Sequence, residues 1–292
     1  MSQKALPTAP ASALRTFGLT AIAMLAFAGN SVLCRLALAQ DEIDPASFTS
    51  VRMACGVAAL WLILAARGRR SLGAGSWKAA TALIAYAAAF SFAYTSLTAG
   101  TGALLLFGAV QATMVTAGLL RGERLTASQW TGFLLALSGL SALVAPGLSA
   151  PPWQGAGLML AAGIAWGFYS LLGRGMTDPL AATAGNFLRA LPIALALSVI
   201  ASFSAHMTSA GFAYAAMSGA VTSGIGYSIW YAALPGLSPG QGASVQLSVP
   251  LITALGGGLL LGEAPTLRLA ACSLAILAGI ALVIISRTRV KS

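Results

Sequence analysis

The chain has 292 residues, of which 58% are hydrophobic and only 8% are charged, and its formal net charge is +10. A soluble domain carries about 25% charged residues, so a chain of this composition cannot cover its surface with polar groups in water. The composition excludes an ordinary soluble domain. It also argues against a nucleic-acid site, because the basic residues fall in short gaps between apolar stretches, as the orientation signals of membrane proteins do.

Ten apolar stretches follow one another along the chain, separated by short gaps rich in Gly, Pro and Ser. A helix needs about 20 apolar residues to cross about 30 Å of hydrocarbon, whereas a strand of a transmembrane barrel is about half as long. The sequence therefore predicts an all-α membrane protein with ten transmembrane helices and no extramembrane domain. The predicted spans are residues 16–38, 46–66, 77–97, 101–120, 127–145, 153–173, 181–202, 212–234, 240–261 and 267–285.

An internal repeat relates the two halves of the chain. Residues 99–123 and 239–263 are both apolar, and each ends in G-x-x-x-G followed by a carboxylate, Glu123 or Glu263. Because each half contains an odd number of spans, the second half enters the membrane from the opposite side. Inverted repeats of this kind build many secondary transporters, whose site lies near the midplane between the halves. The predicted divisions are a cytoplasmic tail at 1–15, the first five-helix repeat at 16–147, the second, inverted repeat at 148–286 and a tail at 287–292.

The distribution of Lys and Arg predicts the orientation of the chain. With the N-terminus in the cytoplasm, twelve basic residues lie on the cytoplasmic side, and Arg268 is the one clear exception. We therefore expect a multi-pass protein of the cell inner membrane with both termini in the cytoplasm. The twelve residues are Lys4, Arg15, Arg67, Arg69, Arg70, Lys78, Arg121, Arg124, Arg174, Arg287, Arg289 and Lys291.

Short motifs recur in the two halves. Each second helix has a proline at its start and an arginine several residues later, and each fourth helix ends in Gly-Glu. The ninth span also contains Ala243 and Ser244 followed by Pro250, where the fourth span has Val110. The recurring residues are Pro45, Arg52, Pro179, Arg189, Gly122, Glu123, Gly262 and Glu263.

In these motifs the chain resembles the drug/metabolite transporter superfamily, EamA type, and among its members the YddG-type exporters of aromatic amino acids. The resemblance implies ten helices in two five-helix repeats, with both termini in the cytoplasm. It also implies transport of amino acids, other metabolites or drugs, because the family carries many substrates on one scaffold.

No Asp or Glu lies at mid-membrane in any predicted span. A buried carboxylate is the usual partner of a cationic drug or a carried proton, so its absence argues against a proton-coupled multidrug pump. We expect a facilitative exporter of small metabolites, aromatic and other neutral amino acids first, that works by alternating access around a central cavity.

Other functions stay open on the sequence alone. A drug carrier or a nucleotide-sugar carrier of the same fold would be expected to show a buried acid or more basic residues in the cavity, and neither is visible. A channel is also compatible with the sequence. An intramembrane enzyme is disfavoured, because the single His206 lies in a gap and neither G-x-S-x-G nor H-E-x-x-H occurs.

Aromatic side chains are the main candidates for lining a substrate cavity. Tyr86, Phe90 and Tyr94 recur every four residues and so share one face of the third helix. Rings that carry a hydroxyl or an indole N–H suit a flat amphipathic ligand, although aromatic rings in helix bundles also simply pack. From the sixth and eighth helices we add Trp166, Tyr169, Tyr227 and Trp230.

Polar residues inside spans must face protein or a water-filled cavity, since an unpaired amide in lipid is costly. Hydrogen bonds between helices are one account of them, and cavity lining is the other. We take Asn30, Ser244 and Gln246 as cavity candidates, with Asn186 as a further one. Arg52 and Arg189 are explained more readily by reaching the interface or pairing with backbone carbonyls than by binding a substrate carboxylate.

Small and helix-breaking residues flank the fourth and ninth helices, where flexing would open and close a gate. The hinge candidates are Gly100, Gly102, Pro235, Pro239 and Gly240.

Acidic residues and cysteines have structural interpretations. We expect Glu123 and Glu263, at helix ends, to pair with nearby arginines and not to carry protons. The three cysteines lie inside apolar stretches without C-x-x-C spacing, so we expect no disulfide framework, no metal site and no cofactor. The expected partners are the small-molecule substrate and the lipid bilayer, without nucleic acid. The oligomeric state stays open, and a monomer is compatible with the sequence.

Overall fold

The computed structural model describes residues 10–68, 73–147, 150–174, 176–237 and 239–289. These residues are helical apart from short connections, which confirms the predicted class. The helices are α1 (Pro10–Ala39), α2 (Pro45–Ala66), α3 (Trp77–Tyr94), α4 (Ala99–Leu120), α5 (Ala127–Val144), α6 (Trp153–Leu172), α7 (Pro179–Ile200), α8 (Ser209–Met217), α9 (Gly226–Ala233), α10 (Pro239–Gln246), α11 (Ser248–Leu261) and α12 (Leu267–Arg289). Of the residues that predict the tails and the orientation, Lys4, Arg69, Arg70 and Lys291 lie outside the described ranges.

Eight stretches of the described chain are long and apolar enough to cross a membrane. The two predicted spans missing from that set are the third and the eighth. Lys78, together with the tryptophan and tyrosines, lowers the mean hydropathy of α3. The eighth span is divided among α8, a π-helical segment (Ser218–Ile225, hereafter the π segment) and α9, which follow one another directly. The ninth span consists of α10 and α11, and α12 is the tenth.

The two Asp-Pro pairs start equivalent helices. Asp44 Oδ1 accepts hydrogen bonds from the backbone N–H groups of Ala46 and Ser47, at 3.1 and 2.9 Å, and so caps α2. Asp178 caps α7 in the same way, by accepting from the N–H of Ala181 at 3.2 Å. In both helices proline occupies the first turn, where its missing N–H costs nothing.

The two halves of the chain make matching helix contacts. If each span is replaced by its counterpart five spans along the chain, one pair of contacting helices becomes another pair that is also in contact. The pairs α2–α7, α4–α11 and α5–α12 map onto themselves under this exchange. The contact of α3 with α6 corresponds to the contact of the eighth span (the π segment and α9) with α1. The contact of α4 with α6 corresponds to the contact of α11, in the ninth span, with α1. This closed set of contacts is what two five-helix repeats related by a pseudo-two-fold axis produce, and it supports the two-repeat architecture.

Glycines allow the closest of these helix contacts. A Cβ atom placed on Gly163 of α6 would lie 2.6 Å from the carbonyl oxygen of Leu106 on α4. A Cβ on Gly157, two turns earlier on α6, would meet nothing within 4 Å. Small residues at such contacts let helix backbones approach in a membrane, where packing replaces the hydrophobic effect between helices.

The ninth span is broken where the fourth is continuous. α10 ends at Gln246 and α11 begins at Ser248, with Leu247 in a turn between them. Pro250 has no N–H to donate to the carbonyl of Gln246, so the helical hydrogen-bond ladder is interrupted there. Val110 stands at the corresponding position of α4, which runs unbroken through it. The sequence difference between the repeats therefore appears as a difference in helix continuity.

An ion pair joins four helix ends on one side of the bundle. Arg35 Nε donates to Glu263 Oε1 at 2.8 Å, and Arg35 Nη1 donates to the carbonyl of Tyr94 at 2.9 Å. The other carboxylate oxygen of Glu263 accepts from the N–H of Ala99 at 2.7 Å. We call this group the end clamp. It confirms that Glu263 is a structural partner of a nearby arginine, and it holds the ends of α1, α3 and α11 to the start of α4.

The connection before α8 lies against the connection between α1 and α2. His206 Nε2 lies 3.0 Å from Asp41 Oδ1, and His206 Nδ1 lies 3.1 Å from the carbonyl oxygen of Ser204. The bond to this carbonyl, with a smaller contribution from Asp41, raises the pKa of His206 above its ordinary value. The ring is therefore protonated over a wider pH range than a free histidine.

Candidate functional site

Aromatic rings from both repeats form one continuous cluster in the bundle, here called the aromatic cluster. Tyr86 of α3 lies 4.7 Å from Trp166 of α6, measured between ring centroids. Trp166 stacks on Tyr169 at 5.1 Å and on Tyr227 of α9 at 5.8 Å. Phe90 joins the cluster through Tyr86, at 5.3 Å. Five of the predicted cavity residues are therefore brought together, three of them from the second repeat.

Asn30 of α1 ties the aromatic cluster to the eighth span. Its Nδ2 donates to the hydroxyl of Tyr86 at 3.3 Å. Its Oδ1 accepts from Ser218 Oγ at 2.7 Å and from Thr222 Oγ1 at 3.4 Å, both in the π segment. Asn30 is buried, so these bonds satisfy an amide that would otherwise be costly. The sequence identified Asn30 but not its serine and threonine partners.

A second polar group lies on the other side of the cluster. The hydroxyl of Tyr169 donates to Thr183 Oγ1 at 3.4 Å, and Thr183 Oγ1 lies 2.8 Å from the hydroxyl of Tyr231. Asn186 Nδ2 donates to Tyr169 at 3.5 Å, while its Oδ1 accepts from the N–H of Ser76 at 2.9 Å. Asn186 was a cavity candidate from the sequence, whereas Thr183 of α7 was not. Thr183 lies within seven residues of the Asp-Pro start of α7, as Arg52 does in α2, and this position is the signal that could have found it.

Arg52 lies inside the cluster and not at an interface. Its side chain is 0% exposed, and its guanidinium carbon lies 5.3 Å from the ring centroids of both Tyr86 and Phe90. Nη2 donates to the Tyr86 hydroxyl at 3.2 Å. The expectation that Arg52 reaches the interface or pairs with carbonyls is therefore wrong. It is correct for Arg189, whose Nη1 donates to the carbonyl of Ala74 at 2.7 Å.

The two arginines are not equivalent positions of the repeat. When Pro45 is matched to Pro179, Arg52 corresponds to Asn186, three residues before Arg189. Arg52 and Asn186 each donate to a tyrosine hydroxyl of the aromatic cluster. The repeat therefore places a polar side chain at this position in both halves, and only the first repeat makes it a cation.

The π segment packs directly on the backbone of α2 at Arg52. A Cβ on Gly219 would collide with the carbonyl oxygen of Arg52, so this close approach needs glycine. Ser218 and Thr222, which bond to Asn30, lie on either side of this contact. π-helical segments inside longer helices are frequent at functional sites, because the extra residue per turn re-aims the side chains that follow.

Other predicted residues lie at the edge of the cluster or away from it. The Tyr94 hydroxyl donates to the carbonyl of Ala99 at 3.3 Å, and its ring occupies the space beside Gly102. Trp230 packs edge-on against Phe27 at 6.0 Å. Tyr94 and Trp230 therefore border the cluster through their neighbours.

The polar candidates of the ninth span lie outside the cluster. Ser244 is exposed, and Gln246 Nε2 donates to the carbonyl of Gly242 at 3.2 Å. Within the described chain, neither side chain makes a hydrogen bond to the aromatic cluster. Their role in binding substrate stays a prediction.

The predicted hinge residues lie at helix contacts and helix starts. Gly100 of α4 faces Ala254 of α11, where an added Cβ would lie 2.9 Å from the alanine Cβ. Pro235 lies in a short turn after α9, and Pro239 and Gly240 begin α10.

Two crevices lie away from the aromatic cluster. One, of about 180 Å³, lies beside the end clamp and is lined by the turn at 96–98 and by residues 150–152. A smaller one between α4, α5 and α12 is lined by Gln111 among apolar side chains. Neither is lined by a residue of the cluster, whose rings are in mutual contact.

Comparison with known proteins identifies the family of this chain. Residues 15–145 and residues 153–285 each match the EamA-like transporter family. The chain belongs to the EamA-like transporter family. The two matched segments correspond to the two halves that the helix contacts relate, and EamA proteins are membrane transporters of small molecules.

Two known proteins are similar to this chain over most of its length. The chain is 58% identical over 274 residues to "Uncharacterized protein PA1977" of Pseudomonas aeruginosa, and the match covers 94% of this chain and 96% of that protein. A solved structure described as "Crystal structure of protein" matches with a TM-score of 0.63 and 19% identity, over 90% of this chain and 98% of that chain. The second likeness shows the fold alone.

Proposed function

We propose that this EamA protein is a secondary transporter that exports small metabolites, aromatic and other neutral amino acids first, by alternating access. One observation carries the proposal: the aromatic cluster spans the boundary between the repeats, through the contact of Tyr86 with Trp166. In transporters built from inverted repeats, the substrate site lies at this boundary, and rocking of one repeat against the other exposes it to each side in turn.

The chemistry of the cluster favours a flat amphipathic ligand. Stacked rings provide a large contact area, and tyrosine hydroxyls can orient a polar end. Trp166, Tyr169 and Tyr227 stack on one another with interplanar angles of 27° and 19°. A planar side chain of a substrate could enter this stack with little loss of ring contact. This favours aromatic metabolites over drug cations and over nucleotide sugars, whose phosphates would call for several basic residues.

The acidic residues favour facilitative transport. The chain has six acidic residues, and all of them lie at helix ends or in connections. Asp44 caps α2, and Glu263 belongs to the end clamp. A carried proton usually needs an ionisable group inside the membrane, so we propose transport down the substrate gradient without proton coupling. The basic residues near helix ends favour an inner-membrane orientation with both termini in the cytoplasm.

The ninth span is the proposed gate. Its break at Leu247 lies about two helical turns before Ala254 of α11, which packs on Gly100 of α4, so bending at the break would move α11 away from α4. Pro235, Pro239 and Gly240, which precede or begin α10, would act as the hinge of this motion.

The test is counterflow in proteoliposomes that contain the purified full-length protein. Labelled phenylalanine, tryptophan and threonine are offered with and without a proton gradient, and we expect saturable counterflow of the aromatic amino acids that is independent of the gradient. Trp166→Ala should reduce the rate about tenfold or more, because it removes ring contacts to three neighbours. Trp153→Ala is the matched control, since Trp153 is 80% exposed. Gradient-driven uptake would contradict the facilitative mechanism, and equal effects of the two substitutions would contradict the site.

A further inference from the structure

Arg52 has hydrogen-bonding capacity that the protein itself does not use. The side chain is 0% exposed, yet Nε and Nη1 have no hydrogen-bond partner among the described residues. Nη2 donates to the Tyr86 hydroxyl, and this is a neutral acceptor. A guanidinium presents five N–H donors in a planar fork that matches a carboxylate. Buried charges are normally paired, because an unpaired one is costly.

Among the described residues, no anion lies against this guanidinium. The groups around it are the rings of Tyr86 and Phe90, with Tyr227 and Cys34 nearby. No ion pair joins Arg52 to a carboxylate in the described part of the chain, and every acidic residue of the sequence lies at a helix end or in a connection. The missing partner must therefore come from outside the protein.

We propose that Arg52 binds the carboxylate of the transported metabolite, so that the substrates are carboxylates with an aromatic or apolar group and need no ammonium group. This proposal rests on the proposed function, because it takes the aromatic cluster as the transport site. A single cation with no anion nearby is neutralised by a monoanion. An ammonium group bound there would find only neutral acceptors such as Asn30 and the tyrosine hydroxyls.

Three ligands with the same phenyl group test the carboxylate and the ammonium group of an amino acid one at a time. 3-Phenylpropionate has only the carboxylate, phenethylamine has only the ammonium group, and L-phenylalanine has both. The readout is the saturable rise in the melting temperature of the purified full-length protein in detergent. We expect 3-phenylpropionate and L-phenylalanine to stabilise the protein and phenethylamine to have no effect. Stabilisation by phenethylamine equal to that by 3-phenylpropionate would overturn the proposal.

An inorganic anion would supply the same charge from another source. Titration with sodium chloride in a zwitterionic organic buffer that contains no other inorganic anion distinguishes the two. If chloride stabilises the protein saturably and 3-phenylpropionate does not, Arg52 holds an inorganic ion and the proposal is wrong. If 3-phenylpropionate stabilises it and chloride only competes weakly, the carboxylate assignment is supported.

Substitutions on α2 test the residue itself. Arg52→Gln should weaken 3-phenylpropionate binding at least about tenfold, because it removes charge-assisted hydrogen bonds. Arg52→Lys should fall between this variant and the wild type, since it keeps the charge but lacks the fork. Arg67→Gln, at the exposed residue that caps the end of α2, is the matched control and should bind normally. Unchanged affinity in folded Arg52→Gln would contradict the proposal.

Binding and transport are measured separately, so the carboxylate site and the proposed function can be contradicted independently. Binding of 3-phenylpropionate that depends on Arg52, without any counterflow, would contradict the proposed function and support the carboxylate site. Counterflow of phenethylamine as fast as that of phenylalanine would support a carrier and overturn the role of Arg52.

Discussion

The end clamp makes a quantitative prediction about how one end of the bundle opens. Replacing Glu263 by Gln removes the charge from the bond to Arg35 Nε, now 2.8 Å long, while leaving the size of the side chain unchanged. The two side chains are 17% and 13% exposed, so water screens them only in part. A hydrogen bond to a charged group contributes about 1.5–3 kcal/mol. Gln has only one acceptor oxygen and cannot accept from both Arg35 and the N–H of Ala99, so the loss of one of these bonds to the carboxylate should raise the population open at this end by roughly ten- to hundredfold.

Thiol labelling measures this population. Leu97 lies in the turn between α3 and α4, next to the clamp, and is 1% exposed. Leu97→Cys, in a background whose three native cysteines are replaced by alanine, should react with a hydrophilic thiol reagent only when this end opens. Adding Glu263→Gln should accelerate the reaction by the factor given above. Ser96→Cys, at an exposed position of the same turn, should react equally fast with and without the change at Glu263.

A double substitution tests whether the clamp acts as one unit. Arg35→Gln alone also removes the bond to the carbonyl of Tyr94, so it should accelerate labelling at least as much as Glu263→Gln. Adding Glu263→Gln to Arg35→Gln should then change little, because the shared interaction is already lost. Labelling of Leu97→Cys that is unaffected by Glu263→Gln would refute the reasoning, as would fully additive effects.

Single positions elsewhere give further expected outcomes. Gly163→Ala places a new Cβ 2.6 Å from a backbone oxygen of α4, so it should lower the free energy of unfolding by about 1–3 kcal/mol in a denaturant titration. Gly157→Ala on the same helix should not lower it, and equal effects of the two substitutions would contradict this account of the packing. Pro250→Ala restores a backbone donor and should stabilise the ninth span by about 1 kcal/mol while slowing counterflow, and an unchanged rate would remove Pro250 from the gate. The bond to the Ser204 carbonyl raises the pKa of His206 in the folded protein. Protonated His206 therefore stabilises the fold fully below the unfolded-state pKa of about 6.5, and this stabilisation is lost as pH rises through the higher folded-state pKa. The melting temperature should therefore fall slightly over that range, and a His206→Gln variant that keeps the same fall would show that another group causes it.

Most of the fold could be predicted because its signals are local. Apolar length predicts the spans, and Asp44-Pro45 and Asp178-Pro179 mark the starts of α2 and α7 before any tertiary contact is considered. The subdivision of the eighth span could not be predicted in this way. Its π segment follows from the close approach of Gly219 to α2, which depends on a helix far away in the sequence.

The sequence identified most residues of the aromatic cluster but not how all of them are arranged. Spacing alone places Tyr86 and Phe90 on one face, and the structure confirms their contact. Spacing does not tell which face of α2 Arg52 occupies. The sequence assigned this residue to the interface by its distance from the helix start, whereas its face turns inward onto α3. Spacing also does not tell whether Ser244 faces the cluster: it is exposed on the broken ninth span, and its role in binding substrate stays a prediction.

The break in the ninth span gives the two repeats unequal stiffness despite their matching contacts. α4 must bend as one continuous rod, while α10 and α11 can pivot about Leu247. In the proposed alternating-access cycle, we therefore expect the half that bends the ninth span to have the lower barrier and the half that bends the fourth span to limit turnover. Such a carrier would spend more time open to one side of the membrane than to the other, even when the substrate concentrations on the two sides are equal.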